Sequence, residues 1–139
     1  MKSKHVVVVG CGRLGSTLAN DLSSDGHRVI VIDQHPSAFN KLSVAFSGFK
    51  VVGDAVETQT LEQAQIKRAN YLFAVTTADN INLMVAQVAQ MIYCIPNVIA
   101  RVYDPKREKL YASFGIKTIS PTQLTVRKFY DVTTLHKDL

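Results

Sequence analysis

Cysteine is scarce in this chain: Cys11 and Cys94 are the only two in 139 residues. Two thiols do not make the disulfide scaffold of a small secreted domain, and they form no ligand spacing with the scattered His5, His27, His35 and His136, so no metal site is expected. Long apolar runs are missing too. Runs such as Val6–Val9 and Val29–Ile32 fall far short of the roughly 20 residues that cross a bilayer, and no charged, apolar and small-residue leader opens the sequence. The expectation is a soluble, cytoplasmic protein with no direct membrane insertion. Repeats and low-complexity stretches are also absent, and a composition of 47% hydrophobic and 19% charged residues excludes a disordered chain. The length suits one domain that buries roughly two thirds of the surface of its unfolded form.

Charge of one sign is only modestly in excess, 16 Lys and Arg against 11 Asp and Glu. The excess sits late in the sequence: residues 1–100 hold 8 basic and 7 acidic side chains, residues 101–139 hold 8 and 4. A basic end suits nucleic acid, anionic lipid or an acidic partner, but it equally describes a solvated face. No stacking-aromatic or recognition-helix motif accompanies it, so nucleic acid is not an expected partner.

What the sequence does contain is an alternation of β-branched runs with helical patterns. His5–Val9 and Arg28–Ile32 are nearly unbroken apolar stretches, the pattern of strands buried on both faces of a parallel sheet. Between them Leu14, Leu18 and Leu22 recur every fourth residue, predicting a helix that ends near Gly26. Pro36 opens a second helix with Phe39, Leu42 and Phe46 on one face, before a strand at Phe49–Val52. The alternation continues through a short helix over 60–66, a strand over 71–75, and a helix over 80–93 with the stripe Ile81, Met84, Val85, Val88 and Ile92. A strand over 98–102, a helix over 105–114 closed by Gly115, and a strand at Lys117–Ile119 complete six strands. Right-handed crossovers then predict an α/β fold, a doubly wound parallel sheet in the order 3-2-1-4-5-6. Ser120-Pro121 reads as an N-cap and first-turn proline for a last helix that carries Leu124, Phe129, Val132 and Leu135.

Gly10-Cys11-Gly12-Arg13-Leu14-Gly15 is a G-x-G-x-x-G that follows a buried strand and opens a helix, and the next strand ends in Asp33 about twenty residues on, as a dinucleotide fingerprint requires. Gly10 permits the tight turn, Gly12 lets backbone approach a pyrophosphate, and Gly15 lets the helix pack close to the sheet. Unpaired N–H groups at the helix N-terminus then face the phosphates. Asp33 can accept from both ribose hydroxyls and repels a 2′-phosphate, which favours NAD(H) or another adenine nucleotide over NADP. Arg13 reaches either a phosphate or solvent, and Cys11 is either a reactive thiol beside a helix N-terminus or a small residue in the turn. Asp54 and the segment Thr76-Thr77-Ala78-Asp79-Asn80 each read two ways, as ligand contacts or as helix caps.

These segments, together with Val52-Gly53-Asp54-Ala55, ANYLFAVTTAD over 69–79, Ala100-Arg101-Val102 and Gly115-Ile116-Lys117-Thr118-Ile119-Ser120-Pro121, resemble the TrkA-N, or RCK N-terminal, domain from about residue 4 to Pro121. The resemblance implies a Rossmann domain over 1–120 and a C-terminal crossover helix over 121–139. It implies a cytosolic regulator of a potassium channel, uptake system or potassium/proton antiporter, peripheral to the membrane through its transporter subunit. The family binds NAD(H), ATP, ADP, AMP or related nucleotides and assembles as homodimers and larger rings. Carried over by residue, it places Gly10, Gly12, Arg13 and Gly15 at the phosphates, Asp33 at the ribose, and Asp54 and Ala55 near the adenine, with Cys11, Leu14 and Gln34 counted among the cofactor-binding residues. Thr76, Thr77 and Asp79 fall on the rim, and Arg101 points toward the nucleotide or a neighbouring subunit. Many members continue into a second ligand-binding module, which this sequence does not include. The competing function is an NAD-dependent oxidoreductase, or a fragment of one. A dehydrogenase needs a proton donor and a substrate pocket beside the nicotinamide, and no Tyr-Lys or His-Asp pair is recognisable, so no catalytic residue is assigned.

Overall fold

The structure, a computed structural model, describes residues 2–133 and 135. Six strands, β1 His5–Val9, β2 Arg28–Asp33, β3 Phe49–Val52, β4 Tyr71–Ala74, β5 Asn97–Arg101 and β6 Lys117–Ile119, form one sheet. Every pairing is parallel, and the order is β3-β2-β1-β4-β5-β6, the doubly wound arrangement that the alternation predicts. Five α-helices accompany them: α1 Arg13–Ser24, α2 Thr58–Gln63, α3 Asp79–Met91, α4 Glu108–Ser113 and α5 Pro121–Val132. Alternate residues along the strands feed two separate cores. Val7, Val9, Ile32, Leu72 and Ala100 pack with Leu61, Val85 and Tyr111 on one face, while Val6, Val8, Val29 and Val31 pack with Ala19 and Phe39 on the other.

Helix orientation departs from the leucine stripe. On α1 the buried residues are Gly15, Ser16, Ala19 and Ser23, while Leu14 is 38% exposed. The helix lies so close to the sheet that a methyl group on Gly15 would overlap the Gly10 carbonyl oxygen, so small side chains face inward and the leucines flank them. The same holds for α3: Val85, Ala86 and Ala89 are buried with Asp79 and Asn82, whereas Met84 and Ile92 of the expected stripe are exposed.

Two expected helices are also shorter. Pro36 opens a 3-10 segment that ends at Lys41, and Leu42 turns extended with ψ 141°. Phe39 is still buried, but the chain from Ser43 leaves the helical path, held by the Asn20 side chain accepting the Ser43 N–H at 2.9 Å. Gln65 at φ 56° breaks the 60–66 helix into α2 and a 3-10 turn Ile66–Arg68. The terminations read from glycine hold: Gly26 at φ 91° donates to Ser23, and His27 to Leu22, in a Schellman arrangement. Ser120 caps α5 by accepting the Gln123 N–H at 3.2 Å. That helix ends at Val132, before Leu135, and buries none of its residues; residue 134 and residues 136–139 of the expected segment lie outside the described residues. Among the described residues no helix is long and apolar enough to cross a membrane.

Candidate functional site

Strand order reverses between β1 and β4, and ligands of open parallel sheets bind at the carboxyl ends of the strands at such a point. A cleft of about 680 Å3 occupies this position. Its floor is the turn from β1 into α1. Gly10 sits at φ 106°, and a Cβ there would press on the Thr76 backbone at 3.0 Å, so the turn both demands and hides a glycine. Gly12 is different: its backbone is ordinary, φ −79° and ψ −161°, and a Cβ would meet nothing within 4 Å. The protein leaves that side open. Gly12 is also the N-cap of α1, no side chain caps the helix, and its first turn holds no acidic residue. Unsatisfied N–H groups and the positive end of the helix dipole therefore face the cleft, a ready anion site.

Beside this positive end stands Asp33, the last residue of β2. Its Oδ2 accepts the Cys11 N–H at 2.8 Å and its Oδ1 accepts the His35 N–H at 2.9 Å. Two backbone donors fix the carboxylate in one orientation, and each oxygen keeps capacity for another hydrogen bond. The Cys11 side chain is buried, and its thiol is pushed above the ordinary value by burial first and the Asp33 charge second. Burial and the Asp33 charge outweigh the nearby Lys41 and Lys50, which favour the thiolate, so the buried thiol is not activated and the residue acts as a small filler in the turn.

The far wall comes from the loops after β4 and β5, tied together by Asn82. Its Oδ1 accepts from the Thr76 backbone N–H at 2.9 Å and the Thr76 hydroxyl at 2.7 Å, while its Nδ2 donates to the carbonyls of Thr76 at 3.0 Å and Arg101 at 3.1 Å. Asn82 is fully buried; this clasp was missed in the sequence, where a polar residue inside an apolar helical stripe is its only signal. Arg101 lies on the cleft with its guanidinium 4.6 Å from the centre of the Tyr103 ring, and its Nε is buried with no hydrogen-bond partner among the described residues. A guanidinium held by a ring at the cleft lining suits an anionic ligand.

Of the expected contacts, Gly10, Cys11, Gly12, Arg13, Asp33, Gln34, Asp54, Ala55, Thr76, Thr77 and Arg101 line the cleft. Three do not. Leu14, 38% exposed, flanks the inner face of α1 and is outside the cleft lining, and Gly15 is buried against the turn as a packing residue. Asp79 is only 7% exposed, and its carboxylate accepts the N–H groups of Tyr103 at 2.7 Å and Asp104 at 3.2 Å. The buried Tyr111 hydroxyl donates to the Asp79 carbonyl at 2.6 Å, and burial, then the Asp79 charge, raises the Tyr111 pKa. Asp79 thus shapes the loop after β5 from behind. Asp54 does not cap α2, whose N-cap is Glu57 without a side-chain cap; its Oδ1 accepts the Val56 N–H at 3.0 Å in the preceding turn, and the residue borders the cleft. His35, Lys41 and Tyr103 also line the cleft and were not singled out in the sequence. Tyr103 was readable from strand parity, since it follows Arg101 by two residues; Lys41 arrives through a 3-10 segment with no periodic signature.

Fold and cleft together define the class, a doubly wound α/β domain with a dinucleotide-type cleft at its topological switch point. Residues 6–121 match the model of the TrkA-N domain, and the chain belongs to that family. It is 41% identical over 121 residues to the Trk system potassium uptake protein TrkA of Streptomyces coelicolor, covering 87% of this chain and 54% of that relative. It is 37% identical to the TrkA homolog of Methanothermobacter thermautotrophicus, covering 84% and 54%. The chain thus spans about half the length of these curated relatives. Among solved structures, the TrkA-N domain of the Escherichia coli inner membrane protein ybaL superposes with a TM-score of 0.83 at 18% identity, covering 94% of this chain and 97% of that one. The GsuK RCK domain gives 0.73 at 25% identity, covering 86% and 26%. The Kef CTD of Shewanella denitrificans, in its AMP-bound form, gives 0.80 at 23%, covering 96% and 83%.

Proposed function

We propose that this chain is the nucleotide-binding regulatory part of a potassium transport system, and that an adenine nucleotide in the cleft biases the conformation read by a membrane transporter subunit. One observation carries the reading: the uncapped N-terminus of α1, left open by Gly12, and the doubly anchored carboxylate of Asp33 beside it line one cleft. The first suits phosphates and the second suits ribose hydroxyls. The residues fit such a ligand, since Arg101 brings a cation to the cleft lining and the space falls in the range of small-ligand sites. When bound, the nucleotide supplies a reporter of cellular energy or redox state. Gly10–Arg13 would hold its phosphates, Asp33 and Gln34 its ribose, and Asp54 and Ala55 its adenine, with Thr76, Thr77 and Arg101 along the far half. The names of the relatives, potassium uptake proteins, support the transport setting, and solved neighbours are bound to NAD, ADP and AMP.

The division at residue 120 follows from the same reading. Leu124, Phe129 and Val132 of α5, with Leu135 beyond its end, are all more than half exposed, an apolar surface that suits a homodimer and, through further contacts, a ring. Regulation without catalysis is the assigned role, in a cytoplasmic setting at the membrane. Calorimetric titration of the chain with NAD, NADH, ATP, ADP and AMP tests the ligand class; no heat with any of them refutes the reading. An NADH oxidation assay with carbonyl substrates tests the oxidoreductase alternative, and turnover would replace regulation with catalysis.

A further inference from the structure

The opposite edge of the sheet holds a second cavity that nucleotide binding does not use. Parallel pairing sets His5 beside Arg28 and Ile30 beside Phe49, bringing the beginnings of β1, β2 and β3 to one edge. The segment 65–69, leading into β4, borders the same space, and a cavity of about 560 Å3 results, a size typical of small-ligand sites. Its apolar lining includes Phe49, 69% exposed, with the buried Val7, Val29 and Ala69 behind it. Its polar lining includes His5, His27, Arg28 and Arg68. A neighbouring hollow of about 440 Å3 shares Val6 and His27 and adds Lys2 and Lys4. Among the described residues no carboxylate lines either space; Asp25, next to Gly26 in sequence, is outside both.

Arg28 and Arg68 are the permanently cationic side chains of the cavity lining, and with no carboxylate beside them among the described residues they create a positive potential focused on the cavity, while Lys2 and Lys4 belong to the neighbouring hollow. Arginine is the side chain best shaped for bidentate contact with phosphate or carboxylate. His27 adds a donor, because its Nδ1 accepts the Lys4 backbone N–H at 3.1 Å and the ring proton of the neutral form therefore sits on Nε2. The apolar lining and the Phe49 ring have no use for a bare ion, but they suit a flat apolar body attached to one.

We propose that this cavity binds a small organic anion, a phosphate or carboxylate carried on a flat apolar group, with Arg28 and Arg68 on the anion and Phe49 against the body. The inference stands independently of the nucleotide reading. The test is an NMR titration of the isotope-labelled full chain with phenyl phosphate, inorganic phosphate and phenol, with ADP titrated separately and followed at Gly10–Arg13. Phenyl phosphate is expected to shift His27, Gly48, Phe49 and Arg68, and to bind at least tenfold more tightly than either inorganic phosphate or phenol. The double variant R28Q/R68Q is expected to weaken it at least tenfold while leaving the ADP response unchanged. Three results would overturn the proposal: no shift at those residues with phenyl phosphate at about 10 mM, far above the concentrations at which specific sites fill; equal binding by the double variant; or shifts confined to Gly10–Arg13. Charge-dependent attachment to phosphatidylglycerol vesicles, lost in the double variant and indifferent to phenyl phosphate, would also overturn it and assign the cations to a membrane surface. A silent ADP arm bears only on the nucleotide cleft.

Discussion

Two glycines three residues apart should respond to the same substitution in opposite ways. A methyl group on Gly12 meets no protein atom within 4 Å, and the backbone there is in a region open to any residue. Gly12→Ala should therefore leave the fold intact, with stability changed by no more than about 1 kcal/mol, since alanine is only a poorer N-cap than glycine. The methyl occupies the side from which phosphates must approach, so adenine nucleotide affinity should fall at least tenfold, about 1.4 kcal/mol. A methyl on Gly15 would overlap the Gly10 carbonyl oxygen and lie 2.9 Å from its carbon and 3.2 Å from the Val75 side chain. Backbone cannot yield as a flexible side chain can, so α1 must move off the sheet, at a cost of about 1–3 kcal/mol or more. At roughly 3 °C per kcal/mol for a domain of this size, that is a fall of several degrees in Tm. Thermal unfolding and calorimetry on both variants make the comparison. Unchanged affinity in a folded Gly12→Ala protein would refute the phosphate assignment, and a wild-type Tm for Gly15→Ala would refute the close packing of α1.

Asp33→Ala removes the acceptor for the Cys11 and His35 N–H groups, so it should cost about 1 kcal/mol or more in stability and narrow the preference for NAD(H) over NADP(H). Equal binding of the two cofactors to the unmutated chain would show that the carboxylate does not read the ribose. The Cys11 thiol titrates above its ordinary value of 9.0; the unfolded chain then loses that proton first, so its contribution to stability is full below pH 9.0 and declines as pH rises beyond it. Denaturation at pH 8 and pH 10 should show a smaller loss for Cys11→Ala than for the unmutated chain, and identical losses would contradict the burial effect. The exposed face of α5 should hold two copies together, with Phe129 and Leu135 as anchors. Light scattering on the chain and on a version ending at Thr122 should report dimer and monomer, and a monomeric full chain at tens of micromolar, where a contact of about 8 kcal/mol is mostly formed, would defeat that assignment.

The sequence by itself determined the strand succession and the chemistry of the turn after β1. Strands buried on both faces betray themselves as unbroken β-branched runs, and the spacing from Gly10 to Asp33 reports the length of one βαβ unit. Gly26, Gly115 and Ser120 ended or began helices where their local chemistry said they would, because caps and left-handed glycines are decided within a few residues. Tertiary structure decided the rest. Hydrophobicity pointed to Leu14, Leu18 and Leu22 as the buried face of α1, yet the close approach of helix to sheet admits only Gly15, Ser16, Ala19 and Ser23; packing distance cannot be read from a stripe. Asp79 looked like a rim residue and is instead buried beneath the β5 loop, while Asn82 became the clasp between Thr76 and Arg101. Thr76 is six residues from Asn82, but Arg101 is 19 away from it and Tyr103 and Asp104 are 24 and 25 away from Asp79, so only the folded sheet, which brings the ends of β4 and β5 together, determines which polar side chains are consumed in holding the cleft and which remain free to face a ligand.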